Sequence, residues 1–223
     1  NTAKKYNISR EAQDEYAIRS YKLAAENTEN GNFGNEIVPV SVPQRRGEPL
    51  NITEDEEYKR VKFEKIPNLR PAFTKDGTVT AANASTINDG ASALVLVSEA
   101  KMKELGLTPV ARVVAYADAA HEPEWFTTAP TLAAPRALKR AGMTIQDIDY
   151  WEVNEAFAVV PMAFNQELNV DDSKVNIFGG SCAIGHPLGA SGARIVTTLN
   201  NVLARKDASV GLATLCNGGG GAS

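Results

Sequence analysis

The sequence predicts an α/β fold, with helices packed against a sheet, and three observations carry that prediction. From residue 91 onward, short apolar runs alternate with stretches of helical periodicity. Capping and breaking residues punctuate the helical stretches. Three polar, reactive segments each fall where a strand hands over to a turn, the edge at which α/β sheets gather ligands.

Residues 9–27 read as a helix. Ser9 serves as N-cap, and Ala12, Tyr16, Ala17, Ile18, Tyr21 and Ala24 recur at helical spacing. Gly31 and Gly34 break it. Residues 37–40 read as a short edge strand because Pro39 cannot donate to a ladder. Residues 42–76 are polar and read as an irregular excursion. The alternation then begins, with strands expected over 93–97, 110–116, 150–153, 175–178 and 210–215. Helices are expected over 99–105, 131–141, 156–168 and 190–204, with Gly106 and Gly142 closing the first two. The chain divides near residue 90, into helix-plus-loop before it and a compact α/β domain after it. It begins at Asn1 and stops just past a glycine loop, which reads as part of something longer.

Bulk properties narrow the function. The 223 residues are 43% hydrophobic and 22% charged, ordinary for a globular chain with a substantial core. A net charge of -4 and a pI near 5.4 give no basic footprint for nucleic acid. No apolar run approaches the length of a membrane span. Two cysteines and two histidines, without CxxC spacing, suggest neither a disulfide scaffold nor zinc. His121, Glu122 and Glu124 resemble a metal cluster at first sight, but Pro123 between them makes a solvated turn the simpler reading. Neither GxGxxG after a strand nor GxxxxGK[ST] is present, so no phosphate loop is read into the glycines.

The reactive segments are Asn154-Glu155-Ala156-Phe157, Gly185-His186-Pro187 and Cys216-Asn217-Gly218-Gly219-Gly220-Gly221. A cysteine at a strand end is ordinarily a small buried hydrophobe. Four glycines after Cys216 favour a different reading: a backbone that approaches a ligand closely and offers N–H groups that would stabilise a thiolate base or nucleophile. His186 precedes a proline suited to the first turn of a helix. There the dipole disfavours imidazolium, and a neutral ring can donate to an oxyanion and accept a proton. Asn154 alone reads first as a strand-end turn residue, although a buried amide can also position water.

Together these segments resemble the thiolase signatures NEAF, GGxxxxGHPxGxSG (residues 179–192) and CxGG(G/A)G. Residues 78–90 resemble the family's CoA-side segment. The likeness runs in one register from residue 1 to residue 223. The segment 56–61 resembles eukaryotic members of the short-chain acetoacetyl-CoA branch, including potassium-responsive mitochondrial forms. His121-Glu122-Pro123 and Ala129-Pro130 resemble fungal cytosolic forms that feed sterol synthesis.

The resemblance implies a layered α-β-α-β-α fold of two similar halves. Residues 1–90 would be the end of an inserted loop domain and its return, and residues 91–223 the C-terminal domain without its last strand. The N-terminal half and its nucleophilic cysteine would be absent, and Cys182 would not replace that cysteine. The implied chemistry is a reversible, ping-pong Claisen condensation of two acetyl-CoA to acetoacetyl-CoA plus CoA. Cys216 would be the acid/base, His186 would activate the nucleophile and bind the thioester oxygen, Asn154 would hold a water beside it, and Gly218 N–H would serve a second oxyanion hole. Tyr21, Arg60, Val61, Lys62, Lys65 and Ser85 would contact CoA, a substrate rather than a bound cofactor. Potassium would lie near Tyr21, Ala81, Ala82 and Ala84 and a carbonyl at Cys182. A homo-oligomer, dimer or tetramer, in the mitochondrial matrix or else the cytosol, completes the expectation. The rivals are a 3-ketoacyl-CoA thiolase of β-oxidation, a ketosynthase (disfavoured because it carries histidine at the Cys216 position) and a non-catalytic CoA- or lipid-binding module.

Overall fold

A computed structural model describes residues 1–223. After the short helix α1 (Thr2–Lys5), the long helix α2 (Arg10–Glu29) begins as expected at Ser9, whose hydroxyl accepts from Ala12 N at 3.1 Å. The strand expected over 37–40 is shifted to β1 (Val40–Val42), which forms a hairpin with β2 (Leu50–Ile52) of the polar excursion, exposed throughout. Three-residue strands were not evident in residues 42–76, because they bury no apolar face and so leave no alternation to read.

The centre of the molecule is a parallel pair, β4 (Tyr150–Val153) and β5 (Gly211–Thr214). Between β2 and β4 lie α3 (Glu99–Glu104), β3 (Ala119–Ala120) and α4 (Pro130–Ala141). Between β4 and β5 lie α5 (Val159–Leu168), α6 (Ser181–Ile184) and α7 (Ser191–Lys206). Alternation along β4 splits its side chains between two layers. Trp151 and Val153 join α4 and α5 in the main core, with Leu138, Val160 and Phe164, and Trp151 meets Phe164 edge-on at 5.6 Å. Glu152 points to the other layer, toward Arg194 of α7. Ile195, Leu199 and Val202 of α7 are also buried. Helix, sheet and helix thus stack as the α/β prediction requires. A small antiparallel sheet, β3 with β7 (Gly221–Ala222) and β6 (Cys216–Asn217), extends from the end of β5.

Several expected elements differ. The apolar runs at 93–97 and 110–116 form no ladder, and Val95, Leu96, Val110 and Tyr116 are exposed. A strand is fixed by a partner's backbone, and no other segment of this chain supplies one here. At 175–178 only Val175 bridges Trp151. Asn176, at φ +48°, turns the chain away and replaces the ladder with its side chain: Val153 N donates to Oδ1 at 2.8 Å, and Nδ2 donates to Val153 O at 2.7 Å. The helix expected from residue 156 starts at Val159, because Ser85 N donates to Ala156 O and Ala158 N to Asn83 O, pairing this backbone with the 78–90 segment. Helix α7 starts at Ser191, so Pro187 stands in the loop before it and not in its first turn. No helix is long and apolar enough to cross a membrane.

Candidate active site

Strand register brings two of the reactive residues side by side. Val153 pairs with Thr214, and Asn154 N donates to Thr214 O at 3.0 Å, so Asn154 leaves the carboxyl end of β4 where Cys216 leaves that of β5. His186 is added from the α6–α7 loop, its Nε2 3.3 Å from Asn154 Nδ2 and its Nδ1 2.6 Å from Ser191 Oγ. All three are buried. Burial, and then the Arg194 charge, push the His186 pKa down, favouring neutral imidazole. The helix dipole expected to do this is not the cause, since α7 begins five residues later.

Cys216 departs from the expectation of a stabilised thiolate. Burial raises its pKa to about 11, against which a backbone hydrogen bond works only partly. The glycines after it divide in role. A side chain on Gly220 would overlap the His121 carbonyl, so this glycine serves backbone packing in a turn where His121 N donates to Gly220 O at 3.0 Å. Gly218 and Gly219 face open space, and their N–H groups donate to no protein acceptor. His121 Nε2 lies 2.7 Å from Trp125 O within its own turn, and no group of three metal-ligating side chains assembles there.

Beneath the site, Glu155 is a hub with no local signature in the sequence. Ser20 donates to Oε2 at 2.7 Å, Cys182 N to Oε2 at 3.1 Å, Asn176 Nδ2 to Oε1 at 3.1 Å and Tyr16 to Oε1 at 3.2 Å. Gly180 lies so close that a Cβ there would sit 2.6 Å from Oε1. This carboxylate joins α2, the Asn154 turn and the Gly179–Cys182 segment. Ser181, Ser191 and Arg194 were also missed. Ser181 donates to Asn154 Oδ1 at 2.6 Å, and Arg194 Nη2 donates to Ser181 Oγ at 3.2 Å. A serine beside a glycine pair gave no local signal for such contacts.

The residues expected near CoA are dispersed around α2. Tyr21 is buried, edge-on to Phe63 at 6.3 Å, and burial raises its pKa far above the usual range. Val61 packs beside it. Arg60 is exposed and paired with Glu56 and Glu57, whereas Lys62 and Lys65 are exposed without ion-pair partners. Ser85 Oγ donates to Ala156 O at 2.9 Å, tying this strip to the Asn154 turn. The carbonyls of Ala81, Ala82, Ala84 and Cys182 accept no hydrogen bond from the protein, and the Tyr21 hydroxyl has no partner. Carbonyl and hydroxyl oxygens are the donor type that hard cations take. The Cys182 thiol is fully buried and its pKa is pushed well up, first by burial and then by Glu155.

The family's C-terminal domain model (Thiolase, C-terminal domain) matches residues 107–223, and its N-terminal domain model (Thiolase, N-terminal domain) matches residues 1–100. Part of the N-terminal domain is therefore present, which corrects the expectation that this half is absent. The chain is 55% identical over 219 residues to the cytosolic acetyl-CoA acetyltransferase ERG10 of Gibberella zeae, covering 98% of this chain and 55% of that protein. It is 54% identical over 224 residues to the mitochondrial acetyl-CoA acetyltransferase of Homo sapiens, covering 100% and 52%. Among solved structures, the Bacillus anthracis acetyl-CoA acetyltransferase superposes with a TM-score of 0.96 at 43% identity, over 100% of this chain and 56% of that one. An Ascaris suum thiolase, Acat5, in complex with coenzyme A superposes at 0.90 with 48% identity, over 99% and 56%. The chain spans about half the length of the curated relatives it matches. With both domain models matched in order along the chain, and the Asn154–His186 pair beside Cys216 at the strand ends, the chain belongs to the thiolase family.

Proposed function

We propose that the protein carrying this chain is an acetyl-CoA C-acetyltransferase, an acyltransferase that interconverts two acetyl-CoA with acetoacetyl-CoA and CoA. The observation that carries the reading is the convergence of Asn154, His186 and Cys216 at adjoining parallel strand ends. The acetyl-CoA acetyltransferase names of its relatives support the short acyl chain.

In the synthetic direction, the Cys216 thiolate removes an α-proton from acetyl-CoA. The resulting carbanion attacks an acetyl thioester on a cysteine outside these residues, forming the new C–C bond and expelling that cysteine's thiolate. In cleavage, that cysteine attacks the ketone carbon of acetoacetyl-CoA, the C–C bond breaks, and the Cys216 thiol protonates the departing acetyl-CoA carbanion. The raised pKa keeps the Cys216 thiol protonated as the acid of cleavage; in synthesis the facing N–H groups and the bound substrate must lower it before the thiolate forms. Neutral His186 takes the proton of the nucleophile through Nε2 and, once charged, donates to the thioester oxygen. Asn154 positions a water beside that oxygen, and the free Gly218 N–H serves the second oxyanion. Transfer through a covalent acetyl-cysteine gives ping-pong kinetics.

For CoA, Lys62 and Lys65 meet nucleotide phosphate. Arg60 must leave Glu56 and Glu57 to join them, Tyr21 and Val61 form the apolar floor, and Ser85 contacts the pantetheine arm. Potassium would be held by the Tyr21, Ala81, Ala82, Ala84 and Cys182 oxygens and would stiffen the CoA strip; equal rates in potassium and sodium buffers would remove it. The division into residues 1–90 and 91–223 also belongs to the proposal. The apolar runs at 93–97 and 110–116 are exposed, as surfaces that further residues of the intact protein would cover. A homo-oligomer, dimer or tetramer, in the mitochondrial matrix or else the cytosol completes the reading, testable by light scattering and by fractionation.

The test is CoA-dependent cleavage of acetoacetyl-CoA by the intact protein, with Cys216→Ala as control. Rapid cleavage that collapses in the variant supports the reading. Turnover only of longer 3-ketoacyl-CoA would favour the β-oxidation thiolase, and no turnover at any length would favour a binding module.

A further inference from the structure

We propose that Ser181 and Arg194 are positioning residues that fix the tautomer of His186, leaving its Nε2 without a proton in the resting site. Five hydrogen bonds run in one line through the buried interior. Arg194 Nη2 donates to Ser181 Oγ at 3.2 Å, and Ser181 Oγ donates to Asn154 Oδ1 at 2.6 Å. Asn154 Nδ2 lies 3.3 Å from His186 Nε2, His186 Nδ1 lies 2.6 Å from Ser191 Oγ, and Ser191 Oγ donates to Pro187 O at 3.1 Å.

The two ends of this line set its direction. A guanidinium only donates and a carbonyl only accepts. Because Arg194 fills one acceptor position of Ser181, the serine proton is free to point at Asn154, which turns the amide oxygen toward it. The amide NH2 is then left facing His186, and an amide nitrogen cannot accept. Nε2 must therefore be the bare ring nitrogen, and the proton sits on Nδ1, donated to Ser191. Reversing the amide would put NH2 against Ser181 and leave the serine O–H with no acceptor at a fully buried position. Arg194 is itself anchored, 3.4 Å from buried Glu152. It lies eight residues along the chain from His186, yet it acts on the ring through two other side chains.

The consequence rests on the function proposed above. A base that accepts the proton of a nucleophilic thiol at Nε2 needs that nitrogen unprotonated before substrate arrives, and this line of donors presets it; the Asn154 N–H resting 3.3 Å from Nε2 gives way to the incoming proton. The structure thus gives Ser181 and Arg194 a part in catalysis without contact with substrate.

The experiment is long-range 15N–1H correlation of the His186 ring in the intact protein, at a pH where the imidazole is neutral, combined with acetoacetyl-CoA cleavage. The wild type is expected to show the Nδ1–H tautomer. Ser181→Ala, a small change inside a packed turn, is expected to shift the ring toward Nε2–H and to lower kcat about tenfold with KM little changed. Ser181→Thr, which keeps the hydroxyl, is expected to retain the wild-type spectrum. An Nε2–H ring in the wild type overturns the proposal without any variant. So does an unchanged tautomer in folded Ser181→Ala, whatever its turnover. A tautomer that switches in a protein without thiolase activity would instead uphold the positioning and sink the proposed reaction.

Discussion

The Ser20 hydroxyl donates to Glu155 Oε2 at 2.7 Å across 135 residues of sequence, pinning helix α2 to the turn that carries Asn154. The same serine oxygen accepts from Gly180 N at 2.9 Å, so one side chain joins α2, the Asn154 turn and the segment leading to His186. The site is therefore held by a polar hub rather than by apolar packing alone.

Glu155→Gln tests that hub. The carboxylate receives four donors and meets no acceptor that needs a proton. An amide would aim its own N–H groups at Cys182 N and Ser20, or at Asn176 and Tyr16, and buried donors would oppose each other. Hydrogen bonds to a charged group are worth more than neutral ones, so we expect a loss of about 2–4 kcal/mol in urea unfolding. A change below about 1 kcal/mol would mean that the hub is dispensable.

Gly180→Ala should act at the same place through sterics. The added Cβ would sit 2.6 Å from Glu155 Oε1, and the carboxylate, held by four donors, cannot retreat. Overpacking of this kind costs about 1–3 kcal/mol. Gly218→Ala is the comparison, because its Cβ meets open space, and it should leave the unfolding midpoint unchanged.

Stability should fall as the pH rises from weakly acidic to weakly basic. Burial lifts the Glu152 pKa to about 8 despite Arg194, and that of Glu36 to about 7. A folded-state pKa above the unfolded one means that the folded protein binds the extra proton. The stabilisation is then complete below the ordinary carboxylate range and lost as pH rises through 7 and 8. Denaturant midpoints measured from pH 5 to pH 9 should show this decline, and Glu152→Gln should flatten the upper part of it. An upward slope between pH 7 and pH 9, above the range in which His186 with its lowered pKa adds a rise of its own, would contradict the burial assigned to Glu152.

What was legible in the sequence follows physical range. Helices α2, α4 and α7 announced themselves because capping and 3.6-residue periodicity are local, and Ser9, Gly142 and the apolar face of α7 sit where that pattern puts them. The strands expected at 93–97 and 110–116 have strand composition, but pairing depends on another backbone, which no local pattern reports. Asn154, His186 and Cys216 were visible as reactive types at strand ends. Ser181, Arg194 and Glu155 were not, since their roles come only from distances across the fold. Burial at Cys216 was out of reach of the sequence for a related reason. The glycines were visible, but the burial that outweighs their N–H groups was not.

That reversal gives the last prediction. With its pKa raised to about 11, Cys216 should be slow toward a small alkylating reagent at neutral pH, and its rate should climb through pH 9 and above. Cys182, buried and pushed higher still by Glu155, should stay unreactive until the protein unfolds. The sign for stability is the same as for Glu152. The folded state keeps the Cys216 proton that the unfolded chain releases near its ordinary value, so stability is full below that value and declines as pH approaches 11. Cys216→Ala should make the decline shallower, because buried Cys182 and Tyr21 add to it in the same direction, and should remove the alkylation, while Cys182 keeps its protection. If Cys216 reacts at neutral pH as fast as an exposed thiol, then the open N–H groups of Gly218 and Gly219 stabilise a thiolate after all, and the cysteine acts as a ready base instead of a held acid.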